Sequence, residues 1–132
     1  MEKMNVKPAT GKLGVLCVGL GAVTSTFMTG VLMARKGLAK PVGSMTQYDK
    51  MRVGRGENKK YLHYGEIVPL ANLNDIVFGA WDVYPANAYE SAVNAEVLKE
   101  KDINPVKDEL EKIVPMKAAF DQTMLVVWMV IM

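Results

Sequence analysis

The sequence predicts an α/β fold built as an open parallel sheet with flanking helices, and incomplete. Two short apolar runs, Leu13–Val18 and Ile76–Phe78, read as buried strands. Each is followed by a turn and then by a stretch of helical period. The third observation is size. The chain has 132 residues, 50% apolar and 23% charged, enough for one globular domain but short for a six-stranded doubly wound sheet.

Met1 to Gly11 carries Lys3, Lys7, Pro8 and Gly11 without an apolar period, so residues 1–11 read as a disordered lead-in. The first strand then runs into Gly19-Leu20-Gly21-Ala22-Val23. Beyond it Val23, Phe27, Val31 and Ala34 recur at steps of four, four and three, which predicts a helix burying that stripe. Strand, glycine turn and helix together present backbone N–H groups and a positive helix end to a diphosphate. A plain structural turn is the competing reading. The dinucleotide fingerprint is G-x-G-x-x-G, and its third position here is Thr24, so the helix is expected to sit differently on its strand. Leu13–Ala34 is also 22 residues without a charge, the length of a membrane span. Four glycines and a run of hydroxyls inside it argue against that. Arg35-Lys36-Gly37 suits a helix end, with cations in the last turn and glycine as the left-handed stop.

Gly43-Ser44-Met45-Thr46-Gln47 leads to Asp49, which lies near the distance at which an acid binds the ribose in dinucleotide folds. Residues 35–60 hold eight Lys or Arg against Asp49 and Glu57 and read as a solvated loop. Aromatics are sparse among these cations, with Tyr48 alone before Tyr61, so a nucleic-acid surface is not expected. Tyr61–Leu70, broken by Gly65 and Pro69, reads as a short or edge strand, with His63 a surface or core histidine. Asp75–Asp82 is the second clear strand, expected to be covered on both faces. Pro85, Tyr89, Ala92, Val93 and Val97 mark the helix after it.

Ligands of open α/β sheets sit beyond the carboxyl ends of the strands, so Asp82 and the Gly19–Gly21 turn are expected to share one crevice. Asp82 there either accepts from a ribose diol or caps the following helix. Asn104-Pro105 opens a last helix, to about Ile113, with asparagine as cap. The tail 123–132 is uncharged and almost wholly apolar, too short to span a bilayer and suited to covering a sheet edge.

Chemistry outside the crevice is sparse. One histidine and one cysteine build no zinc-type site, and Cys17 reads as a buried filler in a reducing cytoplasm. Ten methionines suit gap filling, and a net charge of +2 selects no partner class.

Four pieces in order resemble the inositol-3-phosphate synthases, in their prokaryotic form. They are Val18–Thr26, Gly43–Gln47, Asn74–Val83 with its Phe-Gly-x-Trp-Asp element, and Ala86-Asn87 leading into a helix with Val97-Leu98. The likeness covers about residues 10–122. It implies a Rossmann-like domain over residues 12–122 that binds NAD. It also implies isomerisation of glucose 6-phosphate to inositol phosphate by oxidation, internal aldol closure and reduction. By the family pattern Gly19, Leu20, Gly21, Ala22 and Val23 carry the pyrophosphate, while Asp82 and Val83 lie at the adenosine end. The family's aldol residues fall beyond residue 132, so no catalytic residue is assigned, and the chain alone is expected to be inactive. Substrate is expected only with the missing remainder. Bare sheet edges and apolar faces are expected, and with them a homo-oligomer. The alternative is a non-catalytic α/β binding or assembly module.

Overall fold

The structure, a computed structural model, describes residues 10–119. The tail expected at 123–132 and most of the lead-in lie outside the described residues. Strand β1 (Leu13–Val18) is followed by helix α1 (Ala22–Arg35). A short helix α2 (Met45–Tyr48) leads into β2 (Lys50–Val53) and β3 (Lys60–His63). One helical turn, α3 (Tyr64–Ile67), precedes β4 (Ile76–Asp82). Helices α4 (Ala88–Asn94), α5 (Glu100–Ile103) and α6 (Lys107–Glu111) then lead to β5 (Met116–Lys117).

The sheet is parallel, in the order β1-β4-β5, with Leu13 level with Ile76 and Val18 level with Trp81. The stretch read as a 22-residue apolar span is thus divided into a strand, a turn and a helix of 14 residues. Among the described residues no helix is long and apolar enough to cross a membrane.

Helix α1 stands where its period places it, but a different face is buried. Ser25, Met28, Thr29 and Leu32 pack inward, while Val23 is 84% exposed and Phe27 is half exposed. Small hydroxyl residues on this face suit a close approach of α1 to α4 (Ala88–Asn94), its nearest neighbour. The Thr29 hydroxyl is satisfied by the Ser25 carbonyl at 2.8 Å, so its burial leaves no orphaned donor. The helix ends as expected: Gly37 has φ +68°, and Leu38 N–H donates to the Met33 carbonyl at 2.9 Å.

Met28, Leu32, Ala80, Ala88, Ala92, Ile103, Val106 and Leu110 form the core on one side of the sheet, together with Leu20. Arg35 pins the end of α1 to the start of β4. It donates to the carbonyls of Leu73 and Ile76, and its guanidinium lies 5.5 Å from the Phe78 ring centroid. Phe78 also meets Phe27 edge-on at 5.6 Å. Lys36 reaches across to Glu109 at 2.7 Å and to the Pro105 carbonyl.

Three expectations are corrected. The opposite face of the sheet is open among the described residues, with Leu16, Val77 and Val18 exposed, Val18 by 88%, so β4 is covered on one side only. The basic loop holds an antiparallel ribbon, β2 with β3, whose backbone ladder forms although almost all of its side chains face water. Its turn uses Gly54 at φ +89° and Gly56 at φ +58°. The stretch 61–70 is strand only to His63. Glu66 then turns the chain by accepting from His63 N–H at 2.8 Å, in a reciprocal cap.

Candidate functional site

The crevice forms where β1 and β4 end side by side. Gly19 N–H donates to the Trp81 carbonyl at 2.7 Å, the last rung between the two strands. The chain then turns at Gly19, whose φ of +90° suits glycine because it has no Cβ. Leu20 is 2% exposed and drops into the core, which fixes the turn from below. Gly21 stands at the N-cap of α1 and offers no side-chain cap, and no acid lies in the first helical turn. The opening N–H groups of α1 therefore keep their hydrogen-bonding capacity and point out of the positive helix end.

Asp82 faces this turn. Its Oδ2 accepts from Leu20 N–H at 2.5 Å and its Oδ1 from Tyr84 N–H at 2.9 Å. The Tyr84 N–H and then the Leu20 N–H hold the carboxyl below its ordinary value of 3.8, against the opposing effect of burial. The helix that follows is capped by Asn87, whose side chain accepts from Glu90 N–H at 2.9 Å, while Glu90 returns a bond to Asn87 N–H. Capping is thus done five residues later, and Asp82 ties one strand-end corner to the other.

A cavity of about 260 Å³ lies over this junction, lined by Leu20, Gly21, Ala22, Asp82, Ser91 and Asn94, with Tyr84 at its rim. A second, of about 310 Å³, shares Asp82 and Tyr84 and adds Val83, Pro85, Pro115 and Lys117. Of the residues singled out in the sequence, Leu20, Gly21, Ala22 and Asp82 meet in the first cavity, and Val83 lines the second. Gly19 makes the turn beneath them. Val23 points away, exposed on the outer side of α1. Asp49 is at the end of α2 and lines neither cavity. Ser91, Asn94 and Lys117 escaped sequence reasoning. The parallel pairing that sets Lys117 level with Asp82 was the signal, and it is a tertiary one.

Cys17 is half-buried against the core in β1 and His63 caps α3, so neither joins the crevice. Among the described residues no cluster of histidine, cysteine or carboxylate groups is built to hold a metal ion.

The comparisons with known proteins bear on the family and the fold. An NAD-binding family model described as myo-inositol-1-phosphate synthase matches residues 13–127. The chain is 61% identical over 120 residues to inositol-3-phosphate synthase 1 of Bacteroides thetaiotaomicron, covering 90% of this chain and 27% of that protein. It is 33% identical to inositol-3-phosphate synthase isozyme 1 of Arabidopsis thaliana, over 83% of this chain and 24% of the plant protein. The crystal structure of inositol-3-phosphate synthase from Caenorhabditis elegans superposes with a TM-score of 0.72 at 27% identity, over 87% of this chain and 25% of that one. The chain spans about a quarter of the length of the curated relatives it matches. With the match running from β1 through β5, the chain belongs to the inositol-3-phosphate synthase family.

Proposed function

We propose that residues 12–122 are the NAD-binding part of an inositol-3-phosphate synthase. The observation that carries this reading is the contact between the two strand-end corners, Leu20 N–H to Asp82, beneath an uncapped helix start. The donor set suits a dinucleotide. The turn from Gly19 to Val23 offers backbone N–H groups to a diphosphate, and Cβ atoms added at Gly19 or Gly21 would fill open space over the turn. Asp82 spends one lone pair of each oxygen on the protein backbone and keeps others for the hydroxyls of a ribose. Val83, next along, gives the sugar or base an apolar contact at the mouth of the second cavity.

In this reading NAD accepts and returns the hydride when bound. This chain's residues orient the cofactor and shield it. The acid–base groups for isomerising glucose 6-phosphate belong to the sequence that the relatives have beyond this quarter, so the chain alone binds cofactor without turnover. Among the described residues the exposed sheet face and the outer edge of β1 favour pairing with a second copy or with that remainder. A cytoplasmic setting belongs to the same proposal and fits the lone cysteine.

Calorimetric titration of the whole chain with NAD tests the proposal. Saturable binding at micromolar to low millimolar NAD, lost in Asp82→Ala, supports it. Absence of heat at millimolar NAD favours the second reading, a non-catalytic α/β assembly module, for which the exposed Leu16, Val18 and Val77 speak.

A further inference from the structure

Resting on the NAD-binding reading above, the geometry points to Lys117 as a cofactor residue: we infer that its ammonium meets the diphosphate of the dinucleotide. Strand β5 is only two residues long, yet it is paired in parallel with the end of β4, so that Met116 is level with Trp81 and Lys117 with Asp82. Ala118 N–H donates to the Asp82 carbonyl at 3.0 Å and fixes that register. In a parallel ladder level residues project to the same side, so Lys117 and Asp82 stand together at the carboxyl edge of the sheet.

Charge supplies the argument. The cavity over the glycine turn and the cavity beside it share Asp82 and Tyr84, so they are two lobes of one crevice. Among the described residues lining one lobe or the other, Asp82 is the one acid and Lys117, which lines the second lobe, the one cation. Backbone hydrogen bonds hold the Asp82 carboxyl in its ionised form at neutral pH. A diphosphate brought against the turn would add its own negative charge beside that carboxylate. Helix N–H groups offset only part of this, being worth about half a unit charge. Lys117 makes no ion pair with a carboxylate among the described residues, and it is placed to supply the missing positive charge. Its exposed position lets the flexible side chain swing over either lobe.

The test titrates the full chain and its Lys117→Gln and Lys117→Arg variants with NAD, ADP and adenosine, at low and high salt. The expected result is a loss of about tenfold in affinity for NAD and ADP in Lys117→Gln, near-parental binding in Lys117→Arg, and unchanged adenosine binding. The loss should shrink at high salt, where an exposed charge is screened. Unaltered NAD and ADP affinity in Lys117→Gln would overturn the inference and leave the NAD reading standing. An equal loss for adenosine would also overturn it, by marking Lys117 as a purely structural residue. A parent chain that binds neither NAD nor ADP would remove the NAD reading and this inference together.

Discussion

Substituting alanine for Asp82 isolates the clamp between the two corners. The carboxylate accepts two backbone N–H groups, from Leu20 at 2.5 Å and from Tyr84 at 2.9 Å. Hydrogen bonds to charged groups contribute about 1.5–3 kcal/mol each where water is excluded. Tyr84 is exposed, and its N–H will rehydrate in the variant at little cost. Leu20 is buried, and its N–H loses its partner next to the core. Asp82 itself is partly exposed, which argues for the lower end of the range. The expected destabilisation at pH 7 is therefore about 2 kcal/mol, nearly all of it from the Leu20 bond. Acid should erase the difference. The folded-state pKa of Asp82 lies below its ordinary 3.8, so on acidification the unfolded chain takes up this proton first. The contribution is complete above the unfolded value and is lost as pH falls through the folded one. Urea unfolding followed by circular dichroism, on the parent and Asp82→Ala from neutral pH to about pH 3, reads this directly. A gap that is constant at neutral pH and narrows below about pH 4 is expected. Equal stability at pH 7, or a gap that widens in acid, would refute the clamp.

Three further outcomes follow from the same structure. Gly19→Ala places a Cβ at φ +90°, where it meets no neighbour, so a purely backbone cost of about 1–2 kcal/mol is expected in the same urea assay; a neutral result would mean that the turn is not held left-handed. Arg35→Ala leaves the Leu73 and Ile76 carbonyls without their donor and Phe78 without its cation, and should lower stability by about 2 kcal/mol, with Arg35→Lys recovering only part because lysine lacks the planar fork. Full recovery by lysine would show that charge alone matters there. Val18→Lys, at a position 88% exposed, should change stability by less than about 0.5 kcal/mol while reducing self-association in sedimentation velocity; unchanged association would mean that the open face is not where copies meet.

The two strand–turn–helix corners were legible in the sequence because local patterns write them. Six apolar residues, a glycine pair and a helical period suffice for the first, and Gly37 marks its end by chirality alone. The inner face of α1 was not legible. Val23, Phe27 and Val31 form the more apolar stripe, yet Ser25 and Thr29 are buried with Met28 and Leu32, because the buried face is set by the neighbouring helices, α4 above all, and a close helix approach suits small side chains. The ribbon of β2 and β3 was hidden because it is held by a backbone ladder between two four-residue strands: Lys50-Met51-Arg52-Val53 does alternate polar and apolar, but the run is too short and too basic to stand out from a solvated loop. The grouping of Gly21 with Asp82 follows from where parallel strands end, so it could be foreseen. Engagement of both Asp82 oxygens by backbone N–H groups could not, since it depends on loop geometry at the level of single ångströms. Lys117 was invisible for a related reason: a two-residue strand leaves no periodic trace.

Strand β1 has its first partner in β4, and the bond from Leu20 to Asp82 closes a loop of 62 residues. On the ribosome, made N-terminus first at about 5–20 residues per second, the opening strand must wait several seconds before anything can pair with it. Throughout that interval an apolar, uncharged segment is unaccompanied, and the intervening basic ribbon can form from local contacts alone without sheltering it. Nascent chains of this sequence should therefore depend on chaperone capture early in translation, and synonymous codons that slow the stretch between the two strands should lower the yield of folded product.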